Sequence, residues 1–208
     1  MKEKDIMIEQ QLKSRDIKNQ DVIEAMEKTD RELFVPEDMK EYAYSDSPLP
    51  IGRGQTISQP YIVAYMAQLI EPEKDDIVLE VGSGCGYNAA VLSHLVSQVY
   101  SVEIIEWLAN QAKENLKKAN IENVKVRFGD GYRGWPEKAP FDKIMLTAAT
   151  PSIPEPLKEQ IVIGGKLLAP VDNSNQKLIL LNKTGENSYE EEDLISVRFV
   201  PMTGEARE

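Results

Sequence analysis

Residues 77–87 read IVLEVGSGCGY, and this stretch decides the fold of the chain. Four of its first five residues are apolar, as in a buried strand, and three alternating glycines follow. Helical sequence then covers residues 88–96, and a second apolar strand covers residues 99–102 and ends at Glu103. This order of strand, glycine turn, helix, strand and acid is typical of the unit that holds an adenosine-containing cofactor at the end of a parallel sheet.

The residues around the glycine loop indicate which cofactor is bound. The spacing is GxGxG, so Tyr87 stands where the dinucleotide fingerprint GxGxxG has its third glycine. A carboxylate at Glu80 would repel a pyrophosphate and attract a cation. Glu103 is positioned to accept hydrogen bonds from the two ribose hydroxyls. These features favour S-adenosylmethionine over a nicotinamide dinucleotide.

Two further strands end at the same predicted sheet edge. Residues 124–128 form a strand pattern followed by Asp130 between two glycines, and residues 142–147 form the next strand. Asp130 is placed to accept a hydrogen bond from the adenine amino group, although an Asp-Gly turn without a ligand has the same sequence. The predicted cofactor-binding residues are Glu80, Gly82, Ser83, Gly84, Gly86, Glu103, Asp130 and Gly131.

Composition narrows the class of protein. At 208 residues the chain can bury roughly 70% of its unfolded surface, and its alternating strands and helices predict one α/β domain. A net charge of −11 with scattered basic residues argues against nucleic-acid binding. One cysteine, a charged N-terminus and no long apolar run predict a cytoplasmic protein without a membrane segment, and we expect a monomer. The acidic residues 190–193 predict a solvated loop or an edge strand protected from pairing.

The sequence offers no ligand cluster for a metal ion. His94 is the only histidine, and the pattern places it in the middle of a helix. Cys85 has no base partner that would make it a nucleophile, so we interpret it as a small loop residue. We therefore expect no metal in the site.

About seventy residues precede the glycine-loop unit. Residues 6–12 and 22–26 have helical apolar spacing, with Asn19 or Asp21 as a candidate cap for the second helix. Residues 30–36 (DRELFVP) predict an extended segment.

A proline- and glycine-rich passage, residues 42–54, then predicts a long irregular segment, which is more often functional than not. A helix is expected over residues 61–70. Spacing alone makes Ser58 its N-cap, with Pro60 in the first turn.

Several motifs together resemble the protein-L-isoaspartate O-methyltransferase family, and the match reaches almost to both ends of the chain. The most specific is residues 54–60 (GQTISQP), and the others are residues 34–36 (FVP), 79–87 (LEVGSGCGY), 129–131 (GDG) and 199–202 (FVPM). The resemblance implies a doubly wound, Rossmann-like S-adenosylmethionine-dependent methyltransferase fold with N-terminal helical and C-terminal strand additions. We expect one domain in three parts, residues 1–72 (helices and substrate-side loop), 73–170 (cofactor-binding core) and 171–208 (C-terminal strands).

The resemblance also implies an activity. A family member transfers the methyl group of S-adenosylmethionine to the free carboxylate of L-isoaspartyl residues in damaged proteins and peptides, and releases S-adenosyl-L-homocysteine. The ester then cyclises to a succinimide, whose hydrolysis yields normal aspartyl residues. In this resemblance Ser58 is the catalytic residue, interpreted as a group that positions the carboxylate. The implied substrate-binding residues are Thr56, Ile57, Gln59 and Val200.

The residues leave three alternatives open. A dinucleotide oxidoreductase is disfavoured by Tyr87 and Glu80. A peptide-binding module that holds the cofactor without catalysis, and a methyltransferase for small carboxylic acids, both remain. Residues 51–57 or 197–202 are the segments along which we expect an extended peptide to pair through its main chain.

Overall fold

The computed structural model describes residues 2–172 and 175–207. In these residues the strands are β1 (Leu49–Gly52), β2 (Gln55–Ile57), β3 (Ile77–Val81), β4 (Gln98–Glu103), β5 (Val124–Phe128), β6 (Phe141–Leu146), β7 (Ile161–Val171), β8 (Lys177–Gly185) and β9 (Ser188–Ser196). The α-helices are α1 (Glu3–Ile6), α2 (Gln20–Lys28), α3 (Pro60–Leu69), α4 (Tyr87–Ser93), α5 (Glu106–Lys118) and α6 (Glu155–Glu159). A π-helix (Met7–Lys13) continues α1, and short 3₁₀ turns occupy several of the connections.

The main sheet has the strand order β5-β4-β3-β6-β7-β8-β9. Strands β5 to β7 are parallel, and β8 and β9 are antiparallel to their neighbours. The chain runs outward from β3 to β5 and then returns to β6 on the other side of β3. Ligands of open α/β sheets bind at such a reversal of strand order, beyond the carboxyl ends of the strands. The predicted doubly wound, Rossmann-like α/β fold is confirmed.

Both faces of the main sheet are covered. In β3, Val78 faces the apolar core that includes α2, α3 and α4, while Leu79 and Val81 face the second core with β7 and α6. Burial on both faces explains why the first residues of the glycine-loop stretch are almost continuously apolar. Strands β1 and β2 form a separate antiparallel pair, called the hairpin here, which packs on the α3 side.

The strands agree closely with prediction. Strands β3, β4 and β5 match within one residue, and the strand expected over residues 142–147 lies one residue earlier. The acidic residues 190–193 lie in β9, which is an edge strand, so the edge-strand prediction is confirmed. The proposed division after residue 170 falls inside β7, and the main sheet continues across it without a break.

In the N-terminal part of the chain, one helix cap agrees with prediction and two predicted segments do not. Asn19 caps α2 as predicted, because its side chain accepts hydrogen bonds from the backbone N–H groups of Asp21 and Val22. The prediction of an extended segment over residues 30–36 was wrong, since Arg31–Leu33 is a 3₁₀ turn. The buried Arg31 side chain donates from Nε to the carbonyl of Ala43 at 2.7 Å, a tertiary contact that bends the chain. The prediction of an irregular segment over residues 42–54 was also wrong in part, because these residues contain β1.

Two helix boundaries also differ from the expected ones. Helix α4 ends at Ser93, so His94 lies at its C-terminus and not in its middle. Helix α3 covers Pro60–Leu69, one residue earlier than expected. In the described part of the chain, no helix combines the length and the apolar character needed to cross a membrane.

Candidate active site

The glycine loop joins β3 to α4 and lies at the reversal of strand order. Gly82, Gly84 and Gly86 all have positive φ, at 101°, 53° and 90°. A Cβ added to Gly82 would lie 2.3 Å from Oγ1 of Thr147, which is too close for any side chain. The loop therefore requires glycine both for its backbone conformation and for its contact with the end of β6.

Tyr87 occupies the third-glycine position of the dinucleotide fingerprint and is almost completely buried. Its ring meets Phe34 edge-to-face at a centroid distance of 5.6 Å, and the Arg31 guanidinium lies 4.9 Å from the ring centre. Burial raises the pKa of the Tyr87 hydroxyl to about 12. The bulky residue thus anchors the start of α4 to the N-terminal segment.

Glu103 ends β4 and faces the glycine loop. Its Oε2 accepts a hydrogen bond from the Gly84 N–H at 2.8 Å, and its Oε1 accepts one from the Ile105 N–H at 3.0 Å. Burial raises the pKa of this carboxyl, and the two backbone N–H groups oppose the rise. Glu103 lines the cavity described below, as its predicted ribose contact requires.

Glu80 has no exposed surface and does not line the cavity. It accepts hydrogen bonds from Asn88 Nδ2 at 2.8 Å and from the Ser101 hydroxyl, which in turn contacts the Ser83 hydroxyl. Burial raises the pKa of Glu80 to about 7, and the nearby Glu103 adds to the rise. Its assignment to cofactor binding stays a prediction. Glu80 could influence a bound cofactor only through Asn88 and Ser83, which do line the cavity.

Asp130 and Gly131 follow β5. Both Asp130 oxygens accept backbone hydrogen bonds, from Tyr132 N and from Glu205 N, each at 2.9 Å, and Asp130 does not line the cavity. Its predicted contact with adenine stays a prediction. Gly131 does line the cavity, and a Cβ there would lie 2.4 Å from Val81 Cγ1.

A cavity of about 940 Å³, including its open mouth, lies beyond the carboxyl ends of β3, β4 and β6. Its walls come from the hairpin and α3, the glycine loop, the end of β4, the end of β6 and residues 199–203. The lining residues are Gln55, Thr56, Ile57, Ser58, Val63, Met66, Val81, Gly82, Ser83, Gly84, Cys85, Tyr87, Asn88, Val102, Glu103, Ile104, Ile105, Gly131, Thr147, Ala148, Phe199, Val200, Pro201, Met202 and Thr203.

Ser58 lines the same cavity as the glycine loop. Its predicted role as N-cap was wrong, because Pro60 is the first residue of α3 and Gln59 is therefore the N-cap. Within the described residues the Ser58 hydroxyl forms no side-chain hydrogen bond, which leaves it available to a ligand. Thr56, Ile57 and Val200 also line the cavity.

Gln59 is the predicted substrate residue that does not reach the cavity. Its side-chain amide donates to Asp46 at 3.2 Å, and Gln59 is not among the lining residues. Its predicted contact with the substrate stays a prediction.

Several cavity residues were missing from the predicted set, among them Thr147, Asn88 and Met202. Thr147 follows β6, and its hydroxyl donates to the Gly82 carbonyl at 2.5 Å. Its position after a strand at the reversal of strand order was a usable signal. Asn88 and Met202 do not follow a strand at this reversal, so their positions gave no such signal. Asn88 is bound to the buried carboxylate of Glu80, and Met202 comes from a distant segment of the chain.

The fold and the cavity define a class of protein. A glycine loop at the reversal of strand order, a bulky residue in place of the third glycine and a carboxylate facing the loop from the adjacent strand fit S-adenosylmethionine. The chain is a Rossmann-like S-adenosylmethionine-dependent methyltransferase. In the described residues no group of three or more His, Cys, Asp or Glu side chains is arranged to hold a metal ion.

The family is more specific than the class. The model of the Protein-L-isoaspartate(D-aspartate) O-methyltransferase (PCMT) family matches residues 2–207. The chain therefore belongs to the protein-L-isoaspartate(D-aspartate) O-methyltransferase family. It is 51% identical over 203 residues to Protein-L-isoaspartate O-methyltransferase 2 of Pelobacter propionicus, covering 97% of this chain and 90% of that protein. The Methanospirillum hungatei protein-L-isoaspartate O-methyltransferase is 48% identical, covering 97% of this chain and 94% of the relative.

Solved structures agree with this membership. One protein-L-isoaspartate O-methyltransferase superposes with a TM-score of 0.90 at 30% identity, covering 97% of this chain and 66% of the other. A Plasmodium falciparum protein described as a beta-aspartate methyltransferase, in complex with S-adenosyl-L-homocysteine, gives a TM-score of 0.85 at 27% identity. In that pair 98% of this chain and 99% of the other are covered.

Proposed function

We propose that this protein repairs damaged proteins by methylating the free carboxylate of L-isoaspartyl residues with S-adenosylmethionine. Spontaneous closure of the ester to a succinimide, followed by hydrolysis, then returns normal aspartyl residues. One observation carries the proposal: Ser58 and the glycine loop line the same cavity. A carboxylate placed against Ser58 therefore meets a cofactor held by the glycine loop.

The chemistry requires little from the side chains. The sulfonium of the cofactor supplies a methyl group with a good leaving group, and the acceptor carboxylate is already ionised at neutral pH. No general base is needed. The protein contributes alignment of the two reactants and exclusion of water, in a cavity whose walls are mostly apolar.

Ser58 is proposed to donate a hydrogen bond from its hydroxyl to the acceptor carboxylate. It precedes the N-terminus of α3, whose backbone N–H groups and positive dipole end favour an anion. The cofactor is proposed to contact Glu103, Gly82, Ser83, Gly84 and Gly131, which line the cavity. Gly86, at the start of α4, is proposed to shape the loop rather than to contact the cofactor.

The acceptor peptide is proposed to lie along β2. Among the described residues β2 pairs only with β1, so its other edge has no strand partner, and an extended peptide is proposed to pair there. The second expected segment, residues 197–202, is less suitable. The backbone N–H groups of Val197, Phe199 and Met202 already donate, the first two to Gln176 and the third to Ala149. We also propose that the enzyme acts as a cytoplasmic monomer without nucleic-acid partners, as its charge indicates.

The test is methyl transfer from labelled S-adenosylmethionine to two peptides that differ only in isoaspartyl or aspartyl at one position. We expect label only in the isoaspartyl peptide. Ser58→Ala should lower kcat/KM by about 10- to 100-fold, because a hydrogen bond to a charged group is lost. The free energy of unfolding should change by less than about 0.5 kcal/mol, because Ser58 caps no helix.

Ser188→Ala, in an exposed position of β9 outside the cavity, is the matched control and should keep full activity. Label in neither peptide, with S-adenosylhomocysteine still bound, would support the non-catalytic binding module. Label in small carboxylic acids and not in peptides would support the third alternative.

A further inference from the structure

The tip of the hairpin is a tight turn. Gly52, Arg53 and Gly54 all have positive φ, at 94°, 54° and 73°. Gly52 pairs with Gln55, so Arg53 and Gly54 form a two-residue loop, in which positive φ at both positions is the favoured turn geometry. This loop lies against the indole ring of Trp107.

Trp107 is the second residue of α5, and 45% of its surface is exposed. The Arg53 guanidinium carbon lies 5.4 Å from the centre of the ring, within the range of a cation–π interaction. Gly52 approaches the same ring so closely that a Cβ there would lie 3.2 Å from it. The ring therefore packs against Gly52 and Arg53, and Arg53 stays exposed.

This contact joins two segments that both continue into the cavity wall. Gln55, two residues after Arg53, and Ile105, two residues before Trp107, both line the cavity. Arg53 thus lies two residues before β2, along which the acceptor peptide is proposed to lie.

Arg53 supplies a positive charge close in sequence to the cavity-lining residue Gln55. Among the described residues its guanidinium forms no ion pair within 4 Å, since none of the observed salt bridges includes it. Glu103 is the carboxylate of the cavity lining, and the protein as a whole carries −11. An acidic peptide is repelled by this overall charge, and Arg53 provides a local attraction near the start of β2.

We propose that Arg53, held on Trp107, is a specificity-determining residue that favours isoaspartyl peptides with an acidic side chain close to the modified residue. The inference rests on the proposed function and names a preference within its substrates. The guanidinium forms an ion pair with the acidic side chain and does not touch the reacting atoms. An exposed pair of this kind changes kcat/KM by about three- to fivefold.

The experiment uses isoaspartyl peptides that carry Glu, Gln or Lys two residues before or after the modified position. The native protein should prefer Glu to Gln to Lys on one side, and about 0.5 M NaCl should reduce the preference. Arg53→Gln should abolish it while leaving kcat/KM for the Gln peptide unchanged. Trp107→Leu, which removes the support, should reduce the preference by at least half.

Lys125→Gln is the matched control, because it removes the same charge from β5, the edge strand opposite β9, at a residue that does not line the cavity. It should retain the native preference. The inference would be overturned if the native protein showed no preference, or if Arg53→Gln showed the same preference as the native protein. In either case, transfer to the Gln peptide would still support the repair activity. Full preference in Trp107→Leu would overturn the supporting role of the ring. No transfer to any isoaspartyl peptide would overturn both proposals.

Discussion

Glu80 is a carboxyl group without solvent contact, placed one residue before the glycine loop. An ionised carboxylate in such a position carries a desolvation penalty, which the hydrogen bonds from Asn88 and Ser101 reduce but do not remove. The pKa of Glu80 in the folded protein is about 7, against 4.5 for an ordinary glutamate. Folding therefore favours the protonated form.

The pH dependence of stability follows from this difference. Because the pKa is raised on folding, the folded state binds more protons than the unfolded state between about pH 4.5 and 7, and stability falls as the pH rises. Above pH 7 the penalty is complete, at about 3 kcal/mol. Glu80→Gln imitates the protonated acid, so its advantage over the native protein should grow between pH 5 and 8.

Urea unfolding at several pH values measures this effect. Glu114→Gln, at an exposed position of α5, removes the same charge without a buried site and should follow the native curve. If the free energies of unfolding of the native protein and of Glu80→Gln changed with pH in parallel, the pKa of Glu80 would not be raised on folding.

At the residue scale, prediction from sequence succeeded where one position determines the role. Glu103 was predicted from its place at the end of a strand, and it lines the cavity and bonds the glycine loop. Ser58 was misplaced as a cap because helix starts vary by a residue or two. Arg31 was missed altogether, since nothing local to it indicates that Ala43 and Tyr87 will surround it.

At the scale of elements, β9 is the exposed edge of the main sheet. Its residues Glu190, Glu191, Glu192 and Asp193 are all exposed, and an edge strand with like charges resists pairing with another chain. Replacing Glu190 and Glu192 by Val should therefore cause association that increases with concentration. Light scattering over a range of concentrations measures it.

A charge-matched control separates edge pairing from reduced repulsion. Glu114→Val with Glu122→Val removes two exposed charges away from β9 and should leave the protein unassociated. Equal association in both double variants would show that the edge is not the cause.

The elements that sequence predicted well are those whose pattern reflects their own burial. Strands β3 to β6 are buried or half-buried along most of their length, so their limits appear as apolar runs. The hairpin and the 3₁₀ turn at Arg31–Leu33 depend on contacts with distant residues, and their sequence reads as irregular or extended. Pattern alone cannot supply such contacts.

For the whole molecule, the charge of −11 acts on stability. Like charges repel one another most in the compact state, and salt screens this repulsion. Raising NaCl from about 20 to about 300 mM should increase the melting temperature by a few degrees. Differential scanning calorimetry measures the change.

A variant with Gln at Glu37, Glu41, Glu114 and Glu122 has four fewer negative charges, so its net charge is −11 + 4 = −7. It should show a weaker dependence on salt. A melting temperature that stays constant or falls with salt in the native protein would contradict self-repulsion.

The cavity takes part of its wall from residues 199–203, which reach it after β9 has formed the far edge of the sheet. Met202 joins Ala149 there through a backbone hydrogen bond of 2.7 Å. A chain leaving the ribosome exposes its glycine loop more than a hundred residues before this wall. We therefore expect the growing polypeptide to hold the methyl donor firmly only after residues 199–203 have joined the cavity wall.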